Sequence, residues 1–381
     1  MTEKKNSAES DSGLIFPTGT YHGVAYFKPP VGFDEDKSMS RLIAVNERNN
    51  AEAMARCPKN LSDHERITAS FIYAHPADYH GKPMLDASVE TWREEFRRFK
   101  KMNIDTVIFQ AALWRELNEC YYSSSHFSFL KCYGVIEKML QAAQDESVHV
   151  GMGGYGSVAG WGPQMTPTEL EHEIGEHKKC FEELIHLGKF EMMYFPSETA
   201  FRGKRLPEKE QRMNYLYRRF SDLVKEKKPE LKVMVSPATG HAPESNDLFC
   251  DFWNAVLENS NVDILMPQDS VGNAQDISLL PGQWECWKQV ADNWGIDLWA
   301  HNEIFERRGY RPENNLFPAS PERVAVQLHL TDPFVKRHCC WEALYFTSEE
   351  VGAEALRLQR FLSSRPEACS ECFRTAVSKK H

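Results

Sequence analysis

The chain has no apolar run approaching the ~18–20 residues that a bilayer span requires, so no membrane segment is expected. Its opening residues, Met-Thr-Glu-Lys-Lys-Asn-Ser-Ala-Glu-Ser, lack the apolar core and small-residue cleavage site of an export signal. Positive charge is in short supply: 45 Lys and Arg stand against 55 Asp and Glu, for a formal charge of −10. A nucleic-acid partner, which demands a basic face, is therefore not expected. The ten cysteines are scattered rather than regularly spaced, and Cys369-Ser-Glu-Cys372 has no second pair at zinc-ligand spacing. Reduced thiols in a cytoplasmic protein are the expectation, with no disulfide framework and no metal. A GxSxG elbow is absent, which removes one route to Ser–His–Asp catalysis. No Gly-rich phosphate turn follows the first strand pattern, which speaks against an open nucleotide-binding sheet, and no cofactor is expected.

What the chain does have is alternation. Residues 1–12 are polar and expected to be disordered. Residues 13–65 form an irregular leader, with one strand-like stretch (Gly23 to Phe27) and one helical stretch (Ala51 to Arg56), expected to pack on the outside or the bottom of the main body. From residue 66 to 365, short β-branched and aromatic runs alternate with helical patterns. The strand patterns are Ile67–Tyr73, Thr106–Gln110, Val148–Met152, Glu191–Phe195, Lys232–Ser236, Asp263–Met266, Asp297–Ala300 and Arg337–Trp341. The helical patterns are Ser88–Met102, Phe127–Gln144, Thr168–Leu187, Glu208–Glu226, Asp247–Glu258, Gly282–Asn293, Pro321–Thr331 and Glu349–Leu362. Thr166-Pro-Thr-Glu169 and Ser320-Pro321 read as helix starts, and Leu187-Gly188 as a stop. Eight βα units without a phosphate turn predict an α/β fold, a (β/α)8 TIM barrel with an irregular N-terminal extension. Residues 366–381 are left as a C-terminal tail. The Gly151-Met-Gly-Gly-Tyr-Gly156 stretch is expected to be a flexible loop at the active face, with a simple turn as the alternative.

In such a barrel, polar residues just past the strand ends line the functional mouth. Four ends offer a carboxylate: Glu198, Asp269, Glu303 and Glu342. Acids gathered in a mouth repel one another and lose hydration, so they mark proton transfer, metal binding or polyol binding. Glycoside hydrolysis needs two carboxyls across a sugar, and Glu198 with Glu303 is the expected catalytic pair. A carboxyl separation of ~5–5.5 Å would mean retention of configuration and ~6.5–9.5 Å inversion. The expected substrate-binding residues are Gln110, Trp114, Tyr155, Trp161, Gln268, Asp269, His301, Asn302, Trp341 and Glu342. The aromatics suit stacking on sugar faces, and Trp161, set among Gly160, Gly162 and Pro163, is explained by no core pattern.

An acid pair on strands 4 and 7 with a tryptophan on strand 8 resembles the clan-A glycoside hydrolases. More narrowly, the segments running from Trp92 to Gln110, from Val262 to Gly272 and from Leu298 to Phe305 resemble a TIM-barrel domain-of-unknown-function family grouped with glycosidases. The resemblance covers roughly residues 66 to 350, and Pro267-Gln-Asp269 and Asn302-Glu303-Ile-Phe305 are its most specific parts. It implies a barrel, a carbohydrate substrate and a cis Trp341–Glu342 peptide. The chain departs from clan A in carrying Ser197-Glu198 on strand 4 and its Asn-Glu pair on strand 7, which leaves open which glutamate is the acid, and whether Asp269 is the second one.

Two other readings compete. A metal-dependent sugar isomerase or epimerase would use Glu198, Asp269, His301 and Glu342 as ligands. A non-catalytic barrel would bind a glycan without cleaving it. The long segment after strand 7 carries Arg307, Arg308 and Arg311. Either these cover the site and meet an anionic group such as a uronate, or they pair with neighbouring acids such as Glu306 and Glu313.

Overall fold

The computed structural model describes residues 17–21, 24–27, 34–75, 83–115, 117–157, 165–196, 198–201, 203–239, 246–310 and 315–364; residues 1–12 and 366–381 fall outside it. Eight parallel strands close into a barrel: β1 (Ile67–Ile72), β2 (Thr106–Phe109), β3 (His149–Gly153), β4 (Met192–Phe195), β5 (Lys232–Val235), β6 (Ile264–Leu265), β7 (Asp297–Glu303) and β8 (Arg337–Trp341). Each pairs with the next, and β8 returns to β1 with Cys340 beside Ser70. Helices α1 (Val89–Lys101), α2 (Val135–Asp145), α3 (Pro167–Leu184), α4 (Pro207–Lys227), α5 (Asn246–Leu257), α6 (Leu280–Trp294), α7 (Pro321–Thr331) and α8 (Ala353–Ser363) form the outer layer. The predicted fold class is the observed one.

The strands are buried on both faces, which is why they read as nearly continuous apolar runs. Alternate residues serve different cores. Ala69, Phe71, Ile108, Tyr194, Met234, Ile264, Met266, Trp299 and Cys339 fill the barrel interior. Residues between them, such as Val107, Phe109, Val233 and Leu298, face the helices. The caps read from the sequence are present. Thr166 and Glu169 form a reciprocal capping box, and Ser320 accepts from Arg323 N. The stop at Leu187-Gly188 is not: α3 ends at Leu184, and Gly188 instead lets the chain pass Leu140.

Two further departures matter, and one reading of the leader is met. The leader helix spans Glu35–Arg56, much longer than expected, and lies on the outer wall, where buried Asn49 donates to Gln275 O and accepts from Ile277 N. The strand-like stretch of the leader, Val24–Phe27, pairs antiparallel with Pro17–Tyr21. The helix predicted from Phe127 begins only at Val135, because Leu113–Trp114, Glu119–Cys120, Lys131–Cys132 and Tyr155–Gly156 form a small accessory sheet above β2 and β3.

That sheet corrects the flexible-loop expectation for residues 151–156. Gly151 and Gly153 lie in β3, and Tyr155 and Gly156 in the accessory sheet. A Cβ on Gly153 would clash with the Phe109 and Gln110 carbonyls, and one on Gly156 would sit 2.7 Å from Leu113 O. These glycines permit close packing of backbones rather than motion. Among the described residues all eight cysteines are free thiols, and no helix is long and apolar enough to cross a membrane. Gly153→Ala is expected to lower unfolding free energy by at least ~1–3 kcal/mol, since the opposing backbone cannot yield. Gly175→Ala, mid-α3 with open space around its Cβ, is expected to raise it by ~0.5–1 kcal/mol. Urea denaturation of the two variants checks both signs.

Candidate active site

β7 runs three residues beyond its predicted end and ends on Glu303, an acid singled out in the sequence. Strand alternation sets Trp299, His301 and Glu303 toward the barrel axis and Asn302 toward the helices. His301 stacks on Phe71 with ring centroids 4.7 Å apart, and its Nδ1 lies 2.8 Å from Ser236 Oγ. Burial pushes its pKa down to about 3, so the ring is neutral. Its Nε2 has no hydrogen-bond partner among the described residues, and neither does Oε1 of Gln110 at the end of β2. A buried polar atom left unpaired costs ~1–3 kcal/mol, and a ligand hydroxyl would satisfy either one. Gln268 packs at the same rim, donating to Ser236 O at 3.3 Å.

Glu303 is 2% exposed. Asn273 holds its carboxylate at both oxygens, through its backbone N–H to Oε2 and its Nδ2 to Oε1, each at 2.9 Å. Gly272 makes this approach possible, since a Cβ there would meet Glu303 Oε2 at 2.8 Å. Burial first, and then the charge of Asp269, push the Glu303 carboxyl well above the ordinary range despite these hydrogen bonds. Glu198 lies three residues past the end of β4, three strands around the ring from β7. It is half-buried, and its charge adds to burial in raising the Tyr194 and Tyr217 phenols.

Three of the expected mouth residues point elsewhere. Asp269 is 0% exposed and sits behind β7. It accepts from Gln327 Nε2 of α7 at 2.6 Å, Asn302 Nδ2 at 3.1 Å, Val271 N at 3.1 Å and Glu303 N at 3.2 Å. Asn302 is committed between Asp269 and His338. Glu342 caps the short helix Ala343–Phe346 by accepting from Tyr345 N, and burial raises its pKa to about 8. All three are buried and committed to partners within the protein.

The aromatics divide in the same way. Trp114 and Tyr155 are buried residues of the accessory sheet, and the Tyr155 hydroxyl accepts from Arg115. Trp341 keeps a partly exposed face at the mouth, propped edge-on by Phe305 at 5.2 Å, and its peptide bond to Glu342 is cis, as the resemblance implied. Trp161 lies outside the described residues.

The metal-isomerase ligand set is not assembled, since Asp269 and Glu342 are taken up in the strand–helix layer. Among the described residues the one three-ligand group is His64, Asp332 and His338. The arginine segment is a hairpin, Phe305–Arg307 against Leu316–Pro318. Arg308 turns outward to Glu306 and Glu354, which is the surface pairing. Arg307 Nε donates to Asn273 Oδ1 at 2.9 Å and so braces the residue that holds Glu303. Arg311 lies outside the described residues.

One polar cluster went unread in the sequence. His75, just past β1, places Nδ1 2.6 Å from Glu119 Oε2, and Tyr121 donates to the same oxygen at 3.1 Å. Reading the end of strand 1 as the other ends were read would have found His75; nothing local marks Glu119, which arrives on the accessory sheet.

Asn273→Ala removes the side-chain donor to Glu303. Because that bond favours the ionised form, the Glu303 titration is expected to move up by about one pH unit. Carboxyl-carbon NMR of labelled protein reads it directly, and no shift, or a downward one, would contradict the assigned geometry.

Comparison with known proteins agrees with the barrel. A candidate alpha-L-fucosidase from Bacteroides thetaiotaomicron superposes with a TM-score of 0.64 at 19% identity, over 78% of this chain and 95% of that one. A beta-galactosidase from the haloarchaeon Halorubrum lacusprofundi gives 0.50 at 10% identity, over 83% of this chain and 59% of that one. At such identities the likeness is one of fold. No curated protein matches the chain in sequence. A family model does match, across residues 72–349, and the chain belongs to that family, DUF4434, described as a domain of unknown function.

Proposed function

We propose that the protein is a glycosidase-type hydrolase that acts on a carbohydrate at the C-terminal face of its barrel, with Glu198 and Glu303 as the working carboxyls. The observation that carries the reading is Glu303: an acid facing the barrel axis, fixed at both oxygens and pushed by burial toward its protonated form. A carboxyl kept protonated near neutral pH can give its proton to a glycosidic oxygen. Glu198, half-buried and better hydrated, is the complementary carboxylate that attacks the anomeric carbon or activates water. Trp341 offers a face to a sugar ring, while Gln110 Oε1 and His301 Nε2 take its hydroxyls. The names of the two barrels of similar fold, a candidate fucosidase and a galactosidase, support the same class of substrate.

The test is a panel of aryl and alkyl glycosides. Glu303→Gln is expected to cut kcat by ~10²–10⁴ for alkyl glycosides, which need a protonated leaving group, and far less for activated aryl glycosides. Glu198→Gln is expected to impair both alike. In the wild type the rate should fall as pH rises through the elevated Glu303 pKa, because ionisation removes the acid, so the alkaline limb lies above the ordinary carboxylate range. Binding without turnover across the panel would favour the glycan-binding alternative, and an unchanged alkaline limb in Glu303→Gln would remove Glu303 from the acid role.

A further inference from the structure

At the end of the barrel opposite the mouth, three chain segments bring metal-ligand chemistry together. His64 lies three residues before β1, Asp332 opens the turn Asp332–Phe334, and His338 is the second residue of β8, beside Ile67. One nitrogen from each histidine and one Asp332 oxygen all lie within 4.8 Å of one another. We propose that these three residues bind one divalent transition-metal ion of the zinc class, which clasps the leader to the seam between β8 and β1.

The hydrogen bonding around His338 supports this. Asn302 Nδ2 donates to Asp269, so its Oδ1 faces His338 Nδ1 at 3.0 Å, and a carbonyl oxygen can only accept. His338 Nδ1 therefore carries a proton, which leaves Nε2 as the nitrogen through which this ring can ligate. That nitrogen points at Asp332 Oδ1 from 3.2 Å, and His64 Nδ1 meets the same oxygen. A cation shared by this nitrogen and the carboxylate would hold the two together, the part that a proton on Nε2 plays when no metal is bound. A histidine ligand oriented by an outer-shell hydrogen bond on its other nitrogen is the usual arrangement at zinc sites. Two imidazoles and a carboxylate suit zinc, and His64, with a side chain 54% exposed, leaves a fourth position open to water. Ligand atoms of a tetrahedral zinc site stand roughly 3.3 Å apart, so a modest rotation of exposed His64 completes the cage. Glu65, held by Ser62 N and His329 Nδ1, adds negative charge beside the cluster. The ligands His64 and Asp332 are separated by 268 positions, so a bound ion would staple distant parts of the chain and add its binding energy to folding.

The experiment uses the full chain, stripped with a chelator and titrated with Zn²⁺ against a competing chromophoric chelator, then with Co²⁺ read by visible absorption. The expected result is one equivalent of Zn²⁺, a rise in Tm on binding, and the d–d bands of four-coordinate Co²⁺ with nitrogen ligands. His64→Ala and Asp332→Asn should each weaken Zn²⁺ binding by at least ~10–100-fold, the range lost when an outer-shell partner alone is removed. Absence of a stoichiometric site in the wild type, or unchanged affinity in both variants, would overturn the proposal. Should a variant fail to fold, Zn²⁺-dependent shifts of two histidine ring signals in the wild type still decide it, and no shift refutes the site.

Discussion

Asp269 accepts four hydrogen bonds at full burial, from a helix side chain, a strand side chain and two backbone N–H groups. A buried carboxylate without partners would cost several kcal/mol, so the fold tolerates it only while this shell is complete. Completion demands that α7, β7 and the turn after β6 hold one mutual position. Arg323, buried beside them, donates to the carbonyls of Val271, Glu303 and Phe305 and ties the same three elements from the other side. Glu303 inherits its place from this arrangement. Its own N–H is one of the four donors to Asp269, and the loop that Asp269 turns through Val271 delivers Asn273 to its carboxylate. The charge left on Asp269 then opposes ionisation of Glu303. A fully buried residue thus fixes the position of the residue proposed to act on substrate, and its charge adds to the burial that raises that residue's pKa.

The barrel separates tasks along its axis and across its wall. Polar groups facing the axis at the mouth, His301, Gln110 and Glu303, retain unused or tunable hydrogen-bonding capacity. Polar groups facing the helices, Asn302, Asp269 and Glu342, are saturated and structural. Period-two alternation makes the division, since neighbours on one strand face different surroundings. At the opposite end, the His64, Asp332 and His338 cluster connects through Asn302 to Asp269, so one polar chain runs through the wall from the proposed clasp to the proposed acid.

Much of the fold was legible. Strand cores, helix starts and the unit count followed from periodicity and capping chemistry, which are local. Boundaries failed where a tertiary partner changed the outcome. The start of the Phe127 pattern is turn and then the short strand Lys131–Cys132, because the neighbouring strand Glu119–Cys120 was available to pair with it. The glycines at 153 and 156 looked mobile because the carbonyls crowding them lie about 40 positions away in sequence. Reading strand ends singled out Glu303, His301, Gln110 and Trp341, which the structure sets at the C-terminal ends of β7, β2 and β8. It could not show that Asp269 and Glu342 are buried and held by protein partners, because the face a residue takes past a strand end changes with an error of one position. His75 with Glu119 was missed because their meeting depends on a loop excursion with no sequence period.

By itself, then, the sequence determined the barrel class, its register of eight units and the residue types available at the mouth, because hydrophobic period and capping are set by near neighbours. Only the tertiary structure decided which carboxylates face the axis, which of them burial pushes toward the protonated form, and which histidines meet an aspartate 268 positions away from one of them. Those properties depend on dielectric surroundings and on hydrogen-bond partners from other elements, and no local stretch of chain contains them.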